Sequence, residues 1–188
     1  MKLNLFKDSI IIEEYKNDEI HSRIKNILKN QKKNNKGRVI SNVNGFQTNN
    51  IKDQIIEEFI MSCFANSIKN NYSPKVTFDA KLNNFWINEN IPNSYNQEHI
   101  HPMTDFSGVY YLDVPKNSGN IYFKKYDMVK TNLSYLFNDA DFYTEYFIES
   151  KKNQFILFSS DFVHGVHLNK SKKSRISISF NIDIIKNK

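Results

Sequence analysis

The chain has 188 residues and a mass of 22.2 kDa, enough for one domain with a substantial core and no staples. Its 39% hydrophobic, 14% aromatic and 24% charged residues exclude a disordered chain, the single cysteine, Cys63, excludes an internal disulfide framework and fits a reducing compartment, and no apolar run has the length of a membrane span or an export signal. The net charge of +6 is mostly lysine, with only three arginines, Arg23, Arg38 and Arg175; phosphates and base edges favour arginine forks, so this argues against nucleic acid as the main partner, and the expected setting is the cytoplasm.

Over residues 14–33, Ile20, Ile24, Ile27 and Leu28 fall on one helical face, which predicts a packing helix with His21 turned to solvent. Residues 31–50 are polar and broken by Gly37 and Gly45, a loop with a short extended piece at Val39 and Ile40. A second helix is predicted over residues 51–70. Ile51, Ile55, Phe59 and Cys63 form one stripe, with Ile56, Ile60 and Phe64 beside it. It stops before Pro74, because the residue ahead of a proline resists helical geometry. Cys63 sits in that stripe and reads as core.

Beyond Pro74 the period changes from 3.6 to 2. Val76, Phe78, Ala80 and Leu82 alternate with polar residues, and the strand continues through Phe85, Trp86, Ile87 and Asn88, with Trp86 expected in the core. Further strands are predicted at residues 106–114, 121–123, 142–148, 155–158, 163–168 and 175–184. Between them, residues 128–138 have no clear period and read as a lid or substrate loop. Two helices followed by about eight strands imply an α+β fold in one domain, residues 1–74 supporting a β core over 75–188, the helices covering one sheet of a double-layered structure.

Four of the five histidines form two clusters, His99 with His101 and His164 with His167. Side chains at i and i+2 of extended backbone point the same way, so His99 and His101 can present two imidazoles to one point. His164 leaves a strongly apolar strand in FILFSSDFVHGVHL, and Gly165 beside it would leave room for a metal. Neutral imidazoles suit iron, zinc or copper, and three protein ligands leave positions open. In the last strand Ile176, Ile178, Phe180 and Ile182 form one face, and Arg175, Ser177, Ser179 and Asn181 the other. A guanidinium fork grips a carboxylate through two parallel hydrogen bonds, and a serine hydroxyl on the same face can add a third. The plainer alternatives are hydrogen-bonded structural histidines and a solvated polar face.

The succession HxHP, SGVYYL, LFxSxxxHxV and RISISFN resembles the iron(II)- and 2-oxoglutarate-dependent oxygenases, in particular a bacterial and phage branch; Leu5-Phe6 and the SNVNGFQT stretch from Ser41 to Thr48 match it too. The resemblance implies a double-stranded β-helix, or jelly roll. It also implies Fe(II) held by His99, His101 and His164, with 2-oxoglutarate and O2 as cosubstrates and a small-molecule or protein substrate. Arg175 would bind the distal carboxylate of 2-oxoglutarate, with Ser177 and Tyr111 as hydrogen-bond partners and Asn88 as a further cofactor contact. The reaction implied is oxidative decarboxylation to succinate and CO2 coupled to hydroxylation. This chain departs from the pattern in having His101 where most of the superfamily has a carboxylate, with Asp105 as an alternative ligand and His167 as a substitute for His164. It also has Lys124-Lys125 where an acidic, proline-bearing turn is expected, and Asn153-Gln154 in place of a glycine, a mild change because asparagine can adopt the left-handed conformation. Two other readings are a cupin-like three-histidine metal protein that does not use 2-oxoglutarate, and a jelly-roll binding module with no enzymatic role.

Overall fold

The computed structural model describes residues 9–125 and 144–186. These form β1 (Ile11–Glu14), α1 (Asp18–Asn34), β2 (Asn42–Val43), β3 (Phe46–Gln47), α2 (Gln54–Asn71), β4 (Phe78–Asn90), β5 (Tyr95–His99), β6 (Phe106–Asp113), β7 (Ile121–Lys124), β8 (Glu145–Ile148), β9 (Gln154–Ser159), β10 (Val163–Val166) and β11 (Arg175–Lys186). Both helices begin a few residues later than the apolar period alone predicts, because a side chain fixes each start. Asn17 accepts the Ile20 N–H at 3.0 Å and Asp53 the Ile56 N–H at 3.2 Å, each satisfying a donor that the first turn leaves open. Asp53 also receives Arg23 Nε at 2.8 Å, which ties α2 to α1.

The strands make two antiparallel sheets, ordered β1-β9-β6-β11-β4-β3 and β2-β5-β10-β7-β8. Strand alternation gives the larger sheet two different faces. On one, Ile178, Phe180 and Ile182 of β11, Phe85 and Ile87 of β4 and Tyr110 and Leu112 of β6 pack with Ile20, Ile24, Ile56 and Ile60 of the helices. Each such side chain contributes about 1.5–3 kcal/mol when fully buried, so this layer holds the helices on the sheet. On the other face, Val109, Tyr111, Ile156 and Phe158 meet Ile121 and Phe123 of β7 and Ile148 of β8 in a smaller core between the sheets. The rest of the inter-sheet space is lined by polar residues and forms the site described below. The α+β class matches the sequence-based expectation.

Several local expectations are corrected. His21 is buried and hydrogen-bonded to Tyr110 Oη at 2.8 Å, because it shares the i, i+3, i+7 stripe of Ile24 and Leu28. Val39 and Ile40 are 90% and 56% exposed, and the extended pieces lie instead at β2 and β3 around Asn44, which has φ +60°. Val76 is exposed and precedes β4. β1 and β5 lie where the sequence suggests no strand. Asn153 does adopt the left-handed conformation, with φ +67°. Leu5-Phe6, the predicted loop at 128–138 and the first part of the strand predicted at 142–148 lie outside the described residues. Among the described residues no helix is long and apolar enough to cross a membrane.

Candidate metal centre and anion pocket

The last residue of β5, His99, lies directly opposite His164 of β10. His101 follows two residues later, its backbone N–H held by Ser160 O at 2.9 Å. One ligand nitrogen from each of these three imidazoles falls within 4.8 Å of the others, a group that could hold one metal ion. β5 reaches this geometry through a bulge: it pairs His99 with His164 and Asn96 with Val166, so it uses one residue more than β10 over the same stretch. The bulge allows Asn96 and His99 both to line the cavity although they are an odd number of residues apart.

The Nδ1 atoms of His99 and His164 lie 2.8 Å from the carbonyl oxygens of Gln97 and Phe162. A carbonyl can only accept, so each Nδ1 carries the proton and each Nε2 is left as a free ligand atom. Burial pushes all three imidazoles down, His101 to about 4 and His164 to about 3. They are therefore neutral at pH 7, as metal ligation requires. Three neutral nitrogen donors, two of them on preset ring orientations, fit a first-row divalent metal.

The second half of the site lies deeper between the sheets. Arg175, first residue of β11, is 1% exposed. Its Nη1 donates to Gly119 O and its Nη2 to Asn90 Oδ1, each at 2.8 Å, while Nε has no partner. Gly119 has φ +91°, and a Cβ there would lie 2.2 Å from the His167 carbonyl oxygen, so only glycine lets this backbone turn deliver its carbonyl to the guanidinium. The Tyr111 ring lies 5.9 Å from Arg175 Cζ. No acidic side chain lines the cavity among the described residues; burial pulls the guanidinium down and only Tyr111 opposes it. A buried cation left without a counter-charge, with Nε and one hydrogen on each Nη unused, is a standing receptor for a carboxylate.

The seven residues to which the resemblance gives a site role, His99, His101, His164, Arg175, Ser177, Tyr111 and Asn88, line this one cavity. Asn88 donates to Ser179 Oγ at 3.0 Å and keeps an unpartnered buried Oδ1. Trp86, expected in the core, also lines the cavity, its ring centroid 5.7 Å from that of His101. Phe85 and Ile87 face the helices, so alternation turns Trp86 inward with Asn88 and Asn90. The two alternative ligands lie outside this group of imidazoles. Asp105 is exposed and accepts the Ile184 N–H at 2.7 Å. His167 stacks on Tyr122 with centroids 4.6 Å apart. Gly165 serves a different purpose from the one expected: a Cβ there would lie 2.5 Å from Tyr122 Oη, so the missing side chain admits Tyr122 and not the metal. Tyr122 reaches Glu98 at 3.3 Å, and Lys124, one of the departures from the family pattern, pairs with the same carboxylate at 2.5 Å. Sequence reasoning missed Asn90, Asn96, Ser41 and Gly119.

A family model described as "Putative 2OG-Fe(II) oxygenase" matches residues 84–181, just over half of the chain. No curated protein matches in sequence. Among solved structures, a 2OG-Fe(II) oxygenase family oxidoreductase from Burkholderia pseudomallei aligns at 13% identity and TM-score 0.50 over 67% of this chain; the alignment spans 56% of that protein. A Pseudomonas putida prolyl-4-hydroxylase aligns at 12% identity and TM-score 0.60, covering 96% of this chain and 94% of that one. SnoK, a non-heme alpha ketoglutarate dependent carbocyclase from nogalamycin biosynthesis, aligns at 10% identity and TM-score 0.63, covering 93% and 79%. At these identities the structural matches speak for the fold alone. The sequence match is what decides kinship: it runs from β4 into β11, across the segments that carry the three imidazoles and the guanidinium, and the chain belongs to the 2OG-Fe(II) oxygenase family.

Proposed function

We propose that the chain is a single-domain iron(II)- and 2-oxoglutarate-dependent oxygenase of hydroxylase type, residues 1–74 giving helical support to a double-stranded β-helix core in the 75–188 part. His99, His101 and His164 hold the metal, and Arg175 takes the distal carboxylate of 2-oxoglutarate, with Ser177, Tyr111 and Asn88 around the cosubstrate. The observation that carries this reading is the pairing, in one cavity, of a convergent imidazole triad with a buried guanidinium that has no acidic partner among the described residues. A dicarboxylate held between the two would neutralise the guanidinium and offer oxygen donors to a metal on the imidazoles, and 2-oxoglutarate is such a molecule.

Bound together, iron(II) and 2-oxoglutarate supply the oxidising power: O2 is consumed, 2-oxoglutarate becomes succinate and CO2, and one oxygen atom passes to a substrate C–H bond. The chain's own residues bind, orient and shield. Gln97 O and Phe162 O fix two imidazoles by their Nδ1–H groups. Gly119 O and Asn90 Oδ1 aim the guanidinium. Val109, Ile121 and Phe158 form an apolar wall that keeps water from the bound cosubstrate. Trp86, beside His101, borders the space where a substrate would approach. Hydroxylation is the simplest outcome for such a site, because it needs no second reacting carbon in the cavity.

The test is succinate formation without added primary substrate. It is expected to need both iron(II) and 2-oxoglutarate, and to be lost in His164→Ala and Arg175→Ala. Succinate produced equally well by Arg175→Ala, or without iron, would overturn the proposal.

A further inference from the structure

The chain crosses from the larger sheet to the smaller one between Asn90, the end of β4, and Asn96, the second residue of β5. Their side chains close that corner: Asn90 Nδ2 donates to Asn96 Oδ1 at 2.9 Å, and Asn96 Nδ2 donates to Ser41 Oγ at 3.2 Å. At the other end Asn90 Oδ1 accepts Arg175 Nη2 at 2.8 Å. The polarity of this relay is forced from the arginine outward. A guanidinium has only donors, so Asn90 must turn its oxygen to it; its NH2 then needs an acceptor, so Asn96 must turn its oxygen in reply. Asn90 is 1% exposed and Asn96 6%, so both are shielded from bulk solvent. The backbone of the corner is held as well. Asn169 Nδ2 donates to Asn90 O at 2.7 Å, and its backbone N–H to Ser94 O at 2.8 Å.

The two ends of this relay belong to different halves of the site. Arg175 is carried by the larger sheet, whereas Asn96 lies on the same bulged strand as His99, which pairs with His164. We propose that Asn90 and Asn96 are positioning residues that fix the span between the Arg175 guanidinium and the imidazole triad, and so select the chain length of the 2-oxo dicarboxylic acid that bridges them. This rests on the function proposed above. Neutral amides suit this role because they orient the guanidinium without cancelling its charge, whereas a carboxylate at position 90 would pair with Arg175 and occupy the fork meant for the ligand. Neither asparagine needs to touch the reacting atoms.

The experiment compares native protein with Asn96→Leu, Asn90→Asp and Ser41→Ala, each loaded with nickel(II). Oxaloacetate, 2-oxoglutarate and 2-oxoadipate are titrated calorimetrically, and metal affinity and melting temperature are measured in parallel. Native protein is expected to prefer the five-carbon acid. Asn96→Leu is expected to lose up to about ten-fold in 2-oxoglutarate affinity, the upper end of what one neutral hydrogen bond contributes, and to narrow the gap to 2-oxoadipate, with nickel affinity unchanged. Asn90→Asp is expected to bind all three acids poorly, and Ser41→Ala, at the far end of the relay, to lose least. Melting temperature and nickel affinity identify any variant that fails to fold, and Ser41→Ala grades the relay without disturbing either asparagine. Folded Asn96→Leu with native affinities and native chain-length preference would overturn the proposal. Native protein that binds nickel but none of the three acids would overturn the cosubstrate reading itself, a distinct result.

Discussion

Replacing Arg175 by methionine removes the guanidinium and keeps most of the buried volume. In the native protein Gly119 O and Asn90 Oδ1 use one hydrogen on each Nη, which leaves Nε–H and the remaining Nη hydrogens for a ligand. Two hydrogen bonds to a charged carboxylate, at about 1.5–3 kcal/mol each, give about 3–6 kcal/mol, equivalent to a loss of roughly two to four orders of magnitude in 2-oxoglutarate affinity. The unliganded fold should change far less. Methionine leaves two acceptors unpartnered, costing about 1–3 kcal/mol each, and at the same time relieves an uncompensated buried charge whose penalty is about several kcal/mol. The assay is a calorimetric titration of 2-oxoglutarate into nickel-loaded native and Arg175→Met protein, with melting temperature in parallel. An affinity within about three-fold of native, where each 1.4 kcal/mol is ten-fold, would refute the reasoning, because the fork would then be doing none of the binding.

Three other outcomes follow from the geometry. Trp86 is the chain's only tryptophan and its ring is 5.7 Å from that of His101, so titration with nickel(II) or copper(II) is expected to quench its fluorescence and saturate at a single equivalent; an unchanged signal, or the same quenching in His164→Ala, counts against the triad. A Cβ on Gly108 would lie 2.2 Å from Phe180 Cζ and 2.7 Å from the Ile156 carbonyl oxygen, and Phe180 is itself stacked on Phe155, so Gly108→Ala should cost about 2–3 kcal/mol by overpacking; urea unfolding midpoints measure it. His21 has its pKa lowered, chiefly by burial. The unfolded chain therefore takes up this proton first, so the contribution of His21 is complete above about pH 6.5 and is lost as pH falls through the lower folded value. Tyr110 Oη donates to Tyr15 O and so accepts His21 Nε2–H, a bond that survives protonation and leaves burial as the penalty. In metal-free protein, His21→Gln should lose less stability than native between pH 7.5 and 5.5 in urea melts; equal losses would refute the assignment.

The parts of the molecule that repeat were legible in the sequence. The helical stripes and the alternation of β11 place Arg175, Ser177 and Ser179 together on one face, and that face lines the cavity. Elements whose inner face is the site were not legible. β5 reads YNQEH, with no apolar alternation to mark it, because its inward positions carry an amide and an imidazole in place of core residues. Its bulge leaves no local signature either. β2 and β3 have two residues each, too few for a period. The partners of Arg175 were hidden for another reason: one is a backbone carbonyl, and the other, Asn90, is distinguished only by sharing the parity of Asn88. His21 and Trp86 did carry a signal, in the helical spacing to Ile24 and Leu28 and in the alternation with Phe85 and Ile87.

The extra residue in β5 also decides which kind of side chain faces the cavity. If the strand slid by one position, Glu98 would swing inward and His99 outward, exchanging an imidazole for a carboxylate. On the outer surface Glu98 is gripped by Lys124 at 2.5 Å and by Tyr122 at 3.3 Å, across the bare backbone of Gly165. The lysine that breaks the family pattern thus grips Glu98 on the far side of the sheet, a salt bridge that opposes such a slide without entering the cavity.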